Sequence, residues 1–143
     1  MKKIPTIKTV MTAFPYSVQP NASLHQALEF MRQHNIRHLP VTRQDELLGL
    51  ISDRDIKLVL GPDFAYPDPD SVSVGDIMRA DTYVVDLDER LDNVLQHMAE
   101  HHVHAAVVTR QGKLAGMFTT SDVCRSFVAS LREPFNGGGD TAA

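Results

Sequence analysis

Apolar positions along this chain recur with two periods, and the same succession of periods occurs twice. Leu24, Ala27, Leu28 and Met31 fall at i, i+3, i+4 and i+7, the spacing of a helix with one buried face. Ser23 ahead of them, with Gln26 three positions on, has the form of a capping box. Two β-prone runs follow, His38 to Thr42 and Leu47 to Ser52, separated by the turn Arg43-Gln44-Asp45-Glu46, which predicts a hairpin. A second helix is expected near 53–60, and Tyr16-Ser17-Val18 reads as a short extended segment upstream.

The pattern then returns. Leu91, Val94, Leu95 and Met98 repeat the stripe, Ala105 to Thr109 and Leu114 to Thr119 repeat the strands, and a helix follows near 120–131. Tyr83-Val84-Val85 repeats the upstream segment. A shift of 67 residues aligns 11–56 with 78–123 without a gap, and 15 of the 46 pairs are identical, among them Met11/Met78, Tyr16/Tyr83, Gly49/Gly116 and Asp55/Asp122. Internal duplication fixes the architecture. The expectation is an α/β (α+β) chain of two pseudo-twofold-related β-α-β-β-α repeats packed through their sheets, since a unit of about 60 residues has a marginal core alone. Such packing creates two equivalent crevices, natural ligand sites. The expected boundaries are a first copy at 8–61, a linker at 62–73 rich in Pro and Asp, a second copy at 74–131, and a disordered tail at 132–143.

Composition narrows the function. The chain has 143 residues, 43% of them hydrophobic, and a net charge of −4. A mildly acidic chain without a basic run lacks the clustered Lys and Arg that nucleic acid requires. Lys8 and Pro5 interrupt what a signal peptide would need, and no run approaches a membrane span. A cytoplasmic protein is expected. Cys124, the sole cysteine, is expected to be a small buried apolar residue and not a nucleophile.

Two motifs could carry chemistry. Gly49-Leu50-Ile51-Ser52-Asp53-Arg54-Asp55 recurs as Gly116-Met117-Phe118-Thr119-Thr120-Ser121-Asp122. Each sits where a strand gives way to a helix, so the hydroxyl can cap the helix and the free N–H groups favour an anion. The Asp three residues on can accept two hydrogen bonds from a vicinal diol such as ribose. A purely structural role, cap plus first-turn acid, fits the same residues. The second motif is Ile36-Arg37-His38-Leu39-Pro40-Val41, matched by Val103-His104-Ala105-Ala106-Val107-Val108. Arg37 and His104 hold equivalent places and are potential phosphate partners, or solvated surface charges.

With Thr9-Val10-Met11-Thr12 and Asp76-Ile77-Met78-Arg79 at the repeat entrances, these motifs make the chain resemble a tandem pair of cystathionine-β-synthase (CBS) domains, a Bateman module, over residues 8–130. The resemblance implies a regulatory module and no enzyme. Its ligand would be AMP, ADP, ATP or S-adenosylmethionine, with no catalytic cofactor. It implies that Asp55 and Asp122 hold ribose hydroxyls, and that Ser52 and Thr119 bond sugar or phosphate. Arg37, His104 and Arg54 would approach phosphates, and adenine would lie near Tyr16, Val18, Tyr83, Val85, His38, Leu39 and Pro40. It further implies a homodimer and an effector protein acted on in trans. The second copy departs from the first, with Ala105-Ala106-Val107 for His38-Leu39-Pro40 and Ser121 for Arg54, so one better and one poorer site are expected.

Two other classes compete. One is a ligand-free interaction or dimerisation module in which the acids are only caps. The other is a metal-binding protein, through His97, His101, His102 and His104, or a zinc hydrolase, because His97-Met98-Ala99-Glu100-His101 has an H-x-x-E-H form. The second is disfavoured: Met98 belongs to the buried stripe, and the matching Phe30-Met31-Arg32-Gln33-His34 lacks the first His and the Glu.

Overall fold

The computed structural model describes residues 3–13, 15–61 and 68–136, with side chains to residue 133; parts of the linker (62–67) and of the tail (137–143) lie outside the described residues. Each copy folds as the periods require. In the first, α1 (Leu24–His34) leads to β2 (His38–Arg43), β3 (Glu46–Ser52) and α2 (Asp53–Leu60); in the second, α4 (Leu91–His101) leads to β5 (Ala105–Arg110), β6 (Lys113–Thr119) and α5 (Thr120–Asn136). Short elements stand at the entrances: a 3-10 turn (Ile7–Thr9), β1 (Thr12–Ala13), α3 (Val74–Ile77) and β4 (Val84–Asp86). Helix α5 extends past residue 131, the expected end of the second copy.

The Ser23 box forms in the first copy, with Gln26 N–H donating to Ser23 Oγ at 3.1 Å and Ser23 N–H donating to Gln26 Oε1 at 2.9 Å, whereas its counterpart Arg90 makes no side-chain cap. Other local chemistry repeats. Helices α1 and α4 both end on a left-handed residue, Asn35 and His102. Both hairpins turn through two residues of positive φ, Gln44-Asp45 and Gln111-Gly112, the backbone that matches strand twist. Both carry a register shift at one place, between Val41 and Thr42 and between Val108 and Thr109.

The hairpins pack through their sheets. Leu50, Ala105, Val107 and Met117 form a buried cluster shared by the two copies. The strand edges also join, with Glu46 opposite Lys113 and Leu114 N–H donating to Asp45 O at 3.0 Å, so the sheet runs continuously as β2-β3-β6-β5-β4. Successive β5 side chains alternate between this cluster (Ala105, Val107) and the second copy's own core (Ala106, Val108), which explains a strand without polar alternation.

Each copy is entered by a segment that finishes the other. Ile7, fully buried, belongs to the core of the second copy with Val94, Met98 and Phe118. Val74, also fully buried, belongs to the core of the first with Leu24, Met31 and Ile51. Matching hydrogen bonds mark the exchange: Leu24 N–H donates to Val72 O at 3.0 Å, and Leu91 N–H donates to Pro5 O at 2.9 Å. Strand β1 pairs with β6, setting Thr12 against Met117 and Ala13 against Gly116, and Arg79 bridges to Leu50 in the same way.

These crossings account for the glycines of the duplicated motif. A β-carbon on Gly49 would stand 2.6 Å from Arg79 O, and one on Gly116 would stand 2.9 Å from Thr12 O and collide with Met11 Sδ. The glycine is there for close backbone approach by the other copy's entrance.

Candidate ligand crevice between the two copies

The strand-to-helix junctions form as expected, and their acids are engaged. Ser52 and Asp55 make a capping box: Asp55 N–H donates to Ser52 Oγ and Ser52 N–H to Asp55 Oδ2, both at 3.1 Å. In the second copy Thr119 N–H donates to Asp122 Oδ2 at 2.9 Å and its hydroxyl reaches the same oxygen at 3.3 Å. The remaining oxygen of each acid turns toward the other copy's entrance. Arg79 Nε donates to Asp55 Oδ1 at 3.0 Å, and Thr12 Oγ1 stands 3.4 Å from Asp122 Oδ1, which also accepts from Arg125. That bond holds Arg79 above its ordinary pKa, so the group is cationic throughout. Asp122 is 6% exposed.

Beside Asp122 lies a cavity of about 800 Å³. The first copy contributes Thr12, Ala13, Pro15 and Tyr16 and the stretch Asn35-Ile36-Arg37-His38 with Pro40. The second contributes Met117 and the stretch Thr119-Thr120-Ser121-Asp122 with Arg125. It therefore joins the Arg37 motif of one copy to the Asp motif of the other. The volume falls in the range of small-molecule sites. Arg37 and Arg125 offer guanidinium donors, the first turn of α5 offers N–H groups and hydroxyls, and Asp122 offers a carboxylate.

His38 stands among these groups with its pKa lowered from 6.5; burial is the largest cause and His104 and Arg37 push the same way, against the opposing pull of Asp53 and Asp55. Tyr16 is fixed by stacking on His34, with ring centroids 4.0 Å apart, and Phe30 meets it edge-on at 5.3 Å.

Of the residues singled out from sequence, Tyr16, Arg37, His38, Pro40, Thr119 and Asp122 border this cavity. Leu39 and Val85 are buried in the cores of their copies, and Val18 bridges to Val41 beside the first core. Tyr83 stacks on His97 at 3.9 Å, and burial raises its pKa. Ser52 and Asp55 lie at the other junction. Arg54 lies between them in the first turn of α2, and the His104 carbonyl accepts from Thr120 N–H at 3.1 Å. Sequence reasoning missed Thr12, Arg125 and Arg79. The repeat alignment pairs Thr12 with Arg79, but nothing in it says that either reaches the other copy's Asp.

The expectation for Cys124 is overturned: it is exposed. It lies on the outer side of α5 with Phe127, Val128 and Leu131, all exposed, while the neighbouring Val123 turns to the core. On α4, His97 is occupied by its stack on Tyr83, and Glu100 accepts from Gln96 at 2.8 Å. Among the described residues no group of three His, Cys, Asp or Glu is arranged to hold a metal, and no helix is long and apolar enough to cross a membrane.

Comparison with known proteins agrees with this architecture. The CBS domain family model matches residues 7–61 and again 74–129. Hypoxic response protein 1 of Mycobacterium tuberculosis is 32% identical over 121 residues, covering 84% of this chain and 83% of that protein. The CBS domain pair of protein MJ0100, solved with 5′-methylthioadenosine and S-adenosyl-L-methionine, superposes with a TM-score of 0.78 at 24% identity, over 90% of this chain and 99% of that one. CBSX2, solved in complex with AMP, superposes with a TM-score of 0.77 at 24% identity, over 87% and 97%.

Proposed function

The chain belongs to the CBS domain family, with two tandem domains, and we propose that it is a regulatory module that binds an adenosine ligand (AMP, ADP, ATP or S-adenosylmethionine) and passes the signal to a partner protein in trans. One observation carries the reading. The cavity brings Arg37 and half-buried His38 from one copy against Thr119, the start of α5 and Asp122 from the other. A phosphate finds donors at one end of this set, and a diol finds a carboxylate at Asp122. The adenosine ligands of the two solved pairs support the same class.

Because the cavity draws on both copies, a ligand in it ties their relative position. It shifts the module toward whichever arrangement it binds more tightly, and only by that difference in affinity. The exposed apolar side chains Leu58 and Val59 on α2, and Phe127, Val128 and Leu131 on α5, support a homodimer formed through these helices. The module performs no catalysis in this reading.

A ligand-free interaction module is the second reading, favoured by the engagement of both acids in capping bonds. Thermal unfolding separates the two. A ligand at 100 times its Kd adds about 2.7 kcal/mol to the folded state, so the melting temperature rises with at least one of AMP, ADP, ATP and S-adenosylmethionine. No rise with all four removes the adenosine reading and leaves the second.

A further inference from the structure

The two junctions of the pair are unequal, and two of the differing side chains bear directly on the acids and helix starts. Beside Asp122 the other copy's entrance supplies Thr12, a short hydroxyl. The counterpart of Thr12 at the other junction is Arg79. Its backbone is fixed by a reciprocal pair of hydrogen bonds with Leu50, both at 2.9 Å, and its Nε donates to Asp55 Oδ1 at 3.0 Å. Asp55 Oδ2 and Ser52 Oγ are taken up in the capping box. Both oxygens of each acid are engaged within the protein, those of Asp122 by Thr119, Thr12 and Arg125. The difference at Asp55 is that the other copy's entrance places a long cationic side chain on the carboxylate.

Asp122 also meets an arginine, but of a different kind. Arg125 comes from the same helix, three residues on, and borders the cavity. Its guanidinium is solvent-exposed on a largely buried carboxylate, as that of Arg79 is; what differs is that Arg125 belongs to the same helix as its acid and lines the cavity, where a ligand can engage it. The Arg79 guanidinium is itself solvent-exposed and adds little to stability. Its effect is to stand on the carboxylate that a diol would need.

The second difference is at the helix start. Thr120 opens α5, whereas its counterpart Asp53 opens α2. A carboxylate in the first turn already complements the positive end of the helix and repels an arriving phosphate.

We propose that Arg79 is a built-in occupant of the junction beside Asp55, and that with Asp53 it restricts this chain to one adenosine ligand, held beside Asp122. The inference rests on the adenosine reading above. Replacing both residues by their counterparts, Arg79→Thr with Asp53→Thr, frees the Asp55 carboxylate and removes the first-turn acid, while Leu58, Arg54 and His104 stay where the other junction has Arg125, Ser121 and Arg37.

Equilibrium dialysis with AMP, ADP, ATP and S-adenosylmethionine, each in turn, tests it. For any probe that binds, the expected result is one ligand per chain in the unaltered protein, lost in Asp122→Asn and retained in Asp55→Asn, and two per chain in the double variant. Two ligands on the unaltered chain overturn the proposal. So does loss of the single ligand in Asp55→Asn, or one ligand on a double variant whose melting curve is intact. If the double variant does not fold, the unaltered chain and the two Asn variants still decide. Absence of saturable uptake of all four probes by every protein is a separate outcome: it removes the adenosine reading, and this proposal with it.

Discussion

The carbonyl oxygen of Arg79 stands 2.6 Å from the place a β-carbon on Gly49 would occupy. Backbone cannot yield there as a flexible side chain would, because Arg79 and Leu50 are joined by two hydrogen bonds. Gly49→Ala therefore costs about 1–3 kcal/mol, the usual range for overpacking. Gly116→Ala meets Thr12 O and Met11 and falls in the same range. Urea unfolding measures both.

Ile7 lies at the beginning of the chain yet is fully buried in the second copy. Ile7→Ala should lose about 2–5 kcal/mol, as for other large-to-small core changes. A peripheral residue of an unstructured leader would lose nothing measurable, so the same unfolding experiment distinguishes the two.

His38 gives the stability a pH dependence. Its folded pKa lies below 6.5, chiefly because burial disfavours the charged ring. Above about pH 6.5 the ring is neutral in both states and its contribution is complete. As pH falls through that value the unfolded chain takes up the proton first, and folded stability declines. Asp53, Asp55, Arg37 and His104 all act on the same ring. Unfolding free energies at pH 7.5 and 5.5 should differ more for the unaltered chain than for His38→Ala; equal differences would remove His38 as the source.

Arg37 should distinguish phosphate from nucleoside. A charge-assisted hydrogen bond is worth about 1.5–3 kcal/mol, so Arg37→Ala weakens AMP roughly 10- to 150-fold. Adenosine without phosphate should be almost unaffected. Calorimetric titration of both ligands gives the ratio, and equal losses would place Arg37 away from the phosphate.

The outer face of α5 predicts association. Phe127→Asp puts a charge amid exposed Val128 and Leu131 and should convert a dimer to a 15.9 kDa monomer in light scattering. An unaltered chain that is already monomeric would remove the dimer.

The duplication, helices and hairpins were legible because each has a period. The stripe Leu24, Ala27, Leu28, Met31 cannot be buried as a strand, and the 67-residue shift locates its twin. The Ser23 and Ser52 boxes were legible because capping is local chemistry. The crossing of the entrances was not. Strand β1 is two residues long and the Leu50–Arg79 bridge a single pair, too short for any period. The pairing of Arg37 with Asp122 across copies depends on that crossing, so sequence could name both residues without showing that they border one cavity. Cys124 illustrates the converse: its apolar residue type suggests burial, but on α5 it shares the exposed side with Phe127, Val128 and Leu131 while Val123 packs on the core.

The crossed entrances also impose an order on synthesis. The first copy emerges complete by Leu60, yet its core still lacks Val74, Ile77 and Met78. The packing of that core is completed only once the beginning of its twin has been made. Ile7 meanwhile waits, already made, for a core whose Phe118 is more than a hundred residues away. Domains that are self-contained fold in turn as they are released. These two each complete the other's core, so neither is self-contained in that sense.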